Sequence, residues 1–150
     1  MPPSQPSSAD AYEVARRLHQ LTDESRQSFD VTASELDLTA QQARVILRLF
    51  EPTPMRAIAD HLACDASNVT GIVSRLTARG LLTATPGPDR RVKFLELTAR
   101  GRRVRSSLEQ RIARTSPAMT QLNKSERQTL LQLLDRLIAP EPGTPGGSQI

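Results

Sequence analysis

The sequence has few of the residues that mark disulfide-rich, aromatic-rich or membrane-spanning proteins. Its 150 residues include one cysteine, one tyrosine, three phenylalanines and no tryptophan. A single cysteine excludes an internal disulfide framework, and no apolar run is long enough to span a bilayer. Because no apolar leader-like segment lies near the N-terminus, we expect a soluble, cytoplasmic protein with no membrane partner.

Catalytic and metal-binding patterns are also missing. We find no glycine loop that could cradle a phosphate, no nucleophile elbow and no carboxylate pair suited to acid–base chemistry. His61 and Cys64 are three residues apart, but two ligands do not make a closed zinc site. Cys64 is better interpreted as a small turn residue than as a redox-active thiol. We therefore expect a protein that is not an enzyme, with no catalytic residue, metal or cofactor.

The net positive charge of the chain comes from one block of its sequence. Residues 75–114 contain eleven basic and three acidic side chains, whereas residues 1–74 contain six basic and ten acidic ones. Ten of the eleven cations are arginines, whose forked guanidinium groups suit phosphate and base contacts. An ordinary solvated face usually mixes both signs, so this block favours a nucleic acid as the partner.

The two ends of the chain differ in composition from its middle. Residues 1–9 and 140–150 are rich in proline, glycine and serine, which predicts disordered tails. The remainder, residues 10–139, is expected to form a single domain. Apolar residues at helical spacing predict a first helix over about residues 10–29, and residues 30–38 are interpreted as a connection or a weak helical turn.

The second and third helices have clear start signals. Thr39 and Gln42 form a capping box, and the apolar face that follows is predicted to include Phe50. Thr53 and Pro54 are predicted to open the third helix, with threonine as the cap and proline at the first helical position.

A longer helix and a hairpin follow. Asp65 is the predicted cap of the fourth helix, and Gly80 is its stop signal. Residues 81–85 and 92–97 have the composition of two short strands, which the turn-rich residues 86–91 connect. Two short helices, a longer helix and a two-stranded hairpin in this order are typical of a winged helix-turn-helix lobe. The predicted fold class is mainly α with a small two-stranded β-wing.

Two more helices complete the prediction. Thr98 caps a fifth helix that Pro117 interrupts, and Asn123 with Glu126 forms the capping box of a last helix ending near Ile138. Six aliphatic residues of that last helix cover an arc of about 160°, wider than one contact stripe needs. This surplus favours burial against a second subunit, and a single intramolecular packing face is the alternative.

The fourth helix carries the predicted DNA-binding surface. At about 100° per residue, its apolar residues fall on one side. The other side is small and hydroxyl-rich: Ser67, Thr70, Gly71, Ser74 and Arg75, with Asn68 at its margin. No acidic residue occurs between Asp65 and Asp89. Small side chains let a helix enter a major groove, whereas packing against another protein is the alternative interpretation.

The hairpin tip carries a second predicted DNA contact. Glycine and proline narrow the loop, and Arg90 and Arg91 project from it, so these arginines could enter the minor groove. Asp89 would be repelled by phosphate and is expected to hold an arginine side chain in one orientation. An exposed charged turn is the alternative interpretation.

These features occur together in an order that resembles the MarR (multiple antibiotic resistance regulator) family. The matching segments are Leu38-Thr39, Ala57-Ile58-Ala59 with Leu62, Ser67-Asn68-Val69-Thr70, Val73 with Arg75-Leu76, Arg79-Gly80-Leu81-Leu82, Asp89-Arg90-Arg91 and Leu97-Thr98-Ala99-Arg100-Gly101. They span nearly half of the chain.

The resemblance implies a winged helix-turn-helix lobe over about residues 39–98 and dimerisation helices over about 10–29 and 99–138. It further implies a homodimer that binds double-stranded DNA at a pseudo-palindromic operator. The helix over residues 66–79 would enter the major groove, and Arg91, with Arg90, the minor groove. A small-molecule effector that relieves repression is a further implied partner. The alternative function is a winged-helix module for protein contacts without specific DNA binding.

Overall fold

The structure, a computed structural model, describes residues 7–62 and 66–138. Seven helices and three short strands lie within these residues. They are α1 (Ser8–Ser34), α2 (Ala40–Arg48), β1 (Thr53–Pro54), α3 (Met55–Leu62), α4 (Ala66–Ala78), β2 (Leu82–Pro86), β3 (Lys93–Leu97), α5 (Ala99–Thr115), α6 (Pro117–Gln121) and α7 (Lys124–Ile138). The chain divides into two compact units, of which the first ends at Arg114 and the second begins at Thr115. The predicted cap Asp65 and Cys64 lie outside the described residues.

Helix α1 is longer at both ends than the sequence predicted. The Ser7 hydroxyl accepts the N–H of the third helical residue and caps the start of the helix. At the other end the helix continues to Ser34, so of the two interpretations of residues 30–38 the helical one holds for residues 30–34 and the connection for the rest. Thr32 and Ala33 are buried in this last turn, and their packing provides a tertiary reason for the extra helical turn that local sequence does not signal.

Helices α1 and α4 end in the same hydrogen-bonding motif. After α1, the N–H of the residue that follows Asp37 bonds to the carbonyl of Ala33 at 3.0 Å. After α4, the Leu81 N–H bonds to the carbonyl of Leu76, also at 3.0 Å. The residue before each donor is left-handed, with φ of 55° at Asp37 and 67° at Gly80. This is the Schellman closure that left-handed residues make at helix C-termini, and it confirms Gly80 as the stop signal.

The second helix begins as predicted but ends earlier. Both hydrogen bonds of the capping box between Thr39 and Gln42 are present. Helix α2 ends at Arg48, and the following backbone turns so that Leu49 is buried and Phe50 is 69% exposed. The prediction of Phe50 on the buried face is therefore wrong, because the helical periodicity stops two residues before it.

A third strand extends the predicted hairpin. Thr53 and Pro54 form β1, which pairs antiparallel with β3 in the register Thr53 to Leu95 and Pro54 to Phe94. The sheet has the order β1-β3-β2. Helix α3 therefore begins at Met55, and the predicted capping role of Thr53 is wrong, since its hydroxyl bonds to a carbonyl before the helix.

The hairpin itself is confirmed. Strands β2 and β3 pair antiparallel from Leu82 opposite Leu97 to Pro86 opposite Lys93. At the tip, the Gly87 N–H bonds to the carbonyl of Val92 at 2.8 Å. A Cβ on Gly87 would stand 2.5 Å from a ring carbon of Phe94, so a larger residue at the tip would have to displace this ring. We call residues 87–92 the wing tip.

One hydrophobic core joins the helices and the sheet of the first unit. Its fully buried large side chains come from α2 to α5 and the segments between them: Val45, Ile46, Leu49, Ile58, Val69, Leu76, Leu81, Leu82, Leu95 and Leu108. The predicted buried face of α4 is confirmed, because Val69, Ile72, Val73 and Leu76 all belong to this core. The core therefore fixes which face of α4 points away from the protein.

The start of α5 is fitted closely to the segment after α4. The Thr98 hydroxyl accepts the N–H of Gly101 at 3.0 Å, which confirms it as the helix cap, and donates to the carbonyl of Gly80 at 2.7 Å. A Cβ on Gly101 would stand 1.9 Å from the Leu81 carbonyl oxygen. Backbone cannot yield as a flexible side chain can, so even alanine at this position would force the two segments apart.

The second unit is a pair of helices. Helix α6 has Pro117 at its start, and the capping box between Asn123 and Glu126 begins α7 as predicted. No residue of α7 is buried, and Leu137 and Ile138 are 70% and 77% exposed. Across both units, the described residues include no helix that is both long and apolar enough to cross a membrane.

Candidate nucleic-acid interface

The outward face of α4 has the composition that the sequence analysis predicted. Ser67, Asn68, Thr70, Ser74 and Arg75 are exposed, on the side away from the buried aliphatic residues. The face therefore has one long cation among short polar side chains. Hydroxyl and amide groups can donate to and accept from base edges and phosphates, and their small size lets the helix backbone come close to a partner.

Gly71 lies at the middle of this face and is not required by packing. A Cβ placed on it would meet nothing within 4 Å, and its φ is not in the left-handed region. Glycine in a helix interior costs roughly 0.5–1 kcal/mol relative to alanine. Since none of the described residues occupies the space in front of Gly71, its small size leaves room for an external partner.

The wing tip presents its arginines to solvent. Arg90 and Arg91 are exposed. Asp89 accepts the backbone N–H of Arg91 on its carboxylate at 3.0 Å and the N–H of Val92 on its own carbonyl at 2.9 Å. The predicted contact of Asp89 with an arginine side chain is not among these hydrogen bonds, which are both with the backbone. Asp89 thus shapes the loop from which the two arginines project.

A groove of about 650 Å³ brings the helix and the wing together. Thr70 of α4 and Arg91 of the wing tip both line it, so two residues predicted separately from the sequence share one surface. Arg56 of α3 and Lys93 of β3 line the same groove, with Asp60 as its acidic member. Arg56 was missed by the sequence analysis because it lies in the net-acidic half of the chain, where no local charge signal exists.

The arginine-rich block is only partly a DNA-facing surface. Five of its eleven cations donate hydrogen bonds to groups of the protein itself. Arg79, Arg100, Arg102 and Arg105 donate to backbone carbonyls, and Arg111 pairs with the carboxylate of Glu35. Each target is a helix end, a strand end or a turn. Net charge alone therefore overstates the positive charge that this block offers to a nucleic acid, because five of its eleven cations bond to the protein itself.

The other six basic side chains of the block make no such hydrogen bond within the described part of the chain. Within residues 7–62 and 66–138 no side-chain partner is found for a set of exposed residues on α4, the wing and α5: Arg75, Arg90, Arg91, Lys93, Arg103 and Arg114. Four of them lie on α4 or on the wing. The positive charge that remains available to a polyanion is thus concentrated beside the outward face of α4.

The described residues contain no group of three or more His, Cys, Asp or Glu side chains able to hold a metal ion. The chemistry of this surface is therefore that of hydroxyl, amide and guanidinium groups. Such groups bind by hydrogen bonding and charge.

Comparison with known proteins identifies the type of domain and its family. Residues 38–101 match the winged helix DNA-binding domain family. The chain is 30% identical to the HTH-type transcriptional repressor NicR of Pseudomonas putida over 145 residues, which cover 91% of this chain and 92% of that protein. The name of this relative describes a transcriptional regulator.

Solved structures share the fold. Apo MarR from E. coli aligns with a TM-score of 0.69 at 24% identity, covering 83% of this chain and 96% of that one. CouR from Rhodococcus jostii RHA1, bound to p-coumaroyl-CoA, aligns with a TM-score of 0.72 at 19% identity, covering 92% and 100%. At these identities the likeness shows the fold, and the family follows from NicR and the matched winged helix. The chain belongs to the MarR family of winged helix-turn-helix transcriptional regulators.

Proposed function

We propose that this regulator is a homodimeric repressor that places α4 of each subunit in the major groove of a pseudo-palindromic operator. The observation that carries the proposal is the outward face of α4, which is small, hydroxyl-rich and free of acidic residues. A DNA duplex carries one negative charge per ~1.7 Å of its axis. Acidic side chains on this face would be repelled by the phosphates, so a face without them suits close approach of the helix to DNA.

The residues of this face have distinct roles in the proposal. Asn68 lies in the first turn of α4, where recognition helices contact base edges. Gly71 lets the helix backbone approach, and Arg75, nearer the C-terminal end, reaches either a guanine edge or a phosphate. Ser67, Thr70 and Ser74 hydrogen-bond to phosphates and bases along the groove.

The wing supplies a second contact beside the first. With α4 in the major groove, the wing tip projects toward the neighbouring minor groove, whose negative potential attracts arginine. In this proposal Arg91 inserts its side chain more deeply into the minor groove than Arg90 does. Asp89 supports both by fixing the backbone of the loop.

A homodimer is proposed because the first and last helices, α1 and α7, have exposed apolar residues. On α1, Val14, Leu18 and Leu21 repeat at helical spacing and are all exposed. Helix α7 has no buried residue, and Leu137 and Ile138 are the most exposed of its large hydrophobic residues. A soluble monomer rarely leaves such stripes open. A two-fold dimer would cover them and present two α4 helices to two half-sites.

Repression and effector response are proposed from the relatives. NicR is a transcriptional repressor, and CouR was solved with p-coumaroyl-CoA bound. We therefore propose that a small molecule shifts the dimer away from its DNA-binding conformation. A winged helix used for protein contacts is the rival function, and it predicts DNA binding that is weak and does not depend on sequence.

The wing arginines provide the test of this function. Arg91→Ala should weaken operator binding by about 1–3 kcal/mol if its side chain enters the groove, and Arg90→Ala should have a smaller effect. The measurement is operator affinity by fluorescence anisotropy at several salt concentrations. Arg114→Ala, which removes an exposed charge from the far end of α5, is the matched control. If neither wing variant differs from this control, the wing does not contact DNA.

A further inference from the structure

Arg79 connects the C-terminal ends of two helices that are distant in sequence. Its Nη1 donates a hydrogen bond to the backbone carbonyl of Asp37 at 2.5 Å, across 42 residues of sequence. Asp37 is the left-handed residue that closes α1, and Arg79 directly precedes Gly80, the left-handed residue that closes α4. The guanidinium therefore bridges the closing turns of α1 and α4.

The bridge has a favourable electrostatic setting. Carbonyls at the C-terminal end of a helix carry the negative end of the helix dipole and lack partners within the helix. The Asp37 carbonyl lies in the turn just after α1, so the guanidinium that donates to it places positive charge beside that negative end. Hydrogen bonds with a charged donor are about twice as strong as neutral ones.

Residues 79–81, which follow α4, are also held by hydrogen bonds from the start of α5. The carbonyl of Arg79 accepts Nη1 of Arg100 at 3.1 Å. The next two carbonyls, those of Gly80 and Leu81, accept the Thr98 hydroxyl at 2.7 and 3.3 Å. Residues 79–81 are thus fixed on one side by α5 and on the other by the end of α1.

We propose that Arg79 is a positioning residue for DNA recognition. It sets the direction of α4 relative to α1 and contacts protein, not DNA. Two α4 helices in a dimer must reach two half-sites at one spacing, so a fixed angle between α1 and α4 is needed for both to dock together. The inference rests on the proposed placement of α4 in the major groove and of α1 in the dimer interface.

The experiment compares Arg79→Ala with Arg103→Ala. Arg103 is exposed on α5 and, among the described residues, has no side-chain partner, so its variant removes the same charge without breaking a contact. We expect Arg79→Ala to lower operator affinity about tenfold, in line with loss of a charged hydrogen bond. Its slope of log affinity against log salt should stay at the wild-type value, because no phosphate contact is lost. Arg103→Ala should change affinity less than about threefold.

A second readout tests geometry directly. One base pair inserted between the half-sites rotates them by about 35° relative to each other. The wild-type dimer should bind this operator much more weakly than the native one. In Arg79→Ala the ratio between the two affinities should shrink, because α4 is no longer held at one angle. A residue that only stabilises the fold would not alter this ratio.

Three outcomes would overturn the inference. A salt slope reduced by about one, with full rescue by Arg79→Lys, would make Arg79 a phosphate contact. A lower melting temperature with unchanged affinity and unchanged spacing ratio would make it a stabilising residue only. Wild-type behaviour in every assay would remove any role. If Gly71→Glu still abolishes binding in these cases, the placement of α4 stands and only the positioning role fails.

Discussion

Replacing Gly71 with glutamate is expected to lower DNA affinity by at least about 100-fold, because juxtaposed like charges at an interface cost several kcal/mol. The new carboxylate would stand at the centre of the outward face of α4, against the phosphates, and its length would hold the helix away from the bases. Specific and non-specific binding should therefore fall together.

The fold should tolerate this change, which makes the result interpretable. Nothing lies within 4 Å of a Cβ at Gly71, and the backbone there is ordinary helix. Glutamate is a better helix former than glycine by roughly 0.5–1 kcal/mol, so the melting temperature should be equal or slightly higher. Gly71→Gln is the matched control, since it has nearly the same bulk without charge. Its loss of affinity should be much smaller than that of Gly71→Glu.

A companion variant separates recognition from attraction. Asn68→Ala removes a base-edge partner without adding repulsion, so discrimination between operator and random DNA should fall while the salt dependence stays similar. Both variants are measured by anisotropy on operator and random duplexes, with circular dichroism melting as the test of folding. Normal operator binding by a folded Gly71→Glu protein would show that α4 does not lie in the groove.

Replacing Leu137 with glutamate is expected to break the dimer. This side chain is 70% exposed in the single chain, so the substitution should cost the isolated subunit little. In the proposed interface it would bury an unpaired carboxylate, which is very unfavourable. We expect the dimer dissociation constant to rise at least about 100-fold, equivalent to some 2.7 kcal/mol.

Gln132→Glu provides the control on the same helix. It introduces the same charge, and at 100° per residue it lies opposite the aliphatic arc of α7. Sedimentation velocity from nanomolar to micromolar concentration should show a dimer for the wild type and for Gln132→Glu, and a monomer for Leu137→Glu. A Leu137→Glu protein that remains as dimeric as the control would exclude this face of α7 from the interface.

Features governed by neighbouring residues were predictable from the sequence. The capping boxes at Thr39 and Asn123 depend on a partner three residues away, and both are present. The two faces of α4 follow from helical periodicity alone, and Val69 and Leu76 are buried as that period requires. These features set the candidate surface, so its main residues could be named without coordinates.

Features governed by distant partners were not predictable. Strand β1 has two residues and exists only because it pairs with β3, and Asp37 adopts a left-handed conformation that local sequence does not demand. The division of the arginines is the clearest case. Arg79 and Arg105 donate to carbonyls 42 and 56 residues away, and nothing in their local sequence separates them from Arg75, which faces solvent.

The central claim is that this chain reads DNA sequence as a two-fold dimer, and selection of binding sites from a random-sequence duplex pool tests it most directly. The wild-type protein should enrich a pseudo-palindrome whose half-sites lie about one helical turn, some 10 base pairs, apart. Gly71→Glu should enrich nothing from the same pool. Recovery of no motif with the wild type, or of a single half-site without a symmetric mate, would contradict the claim.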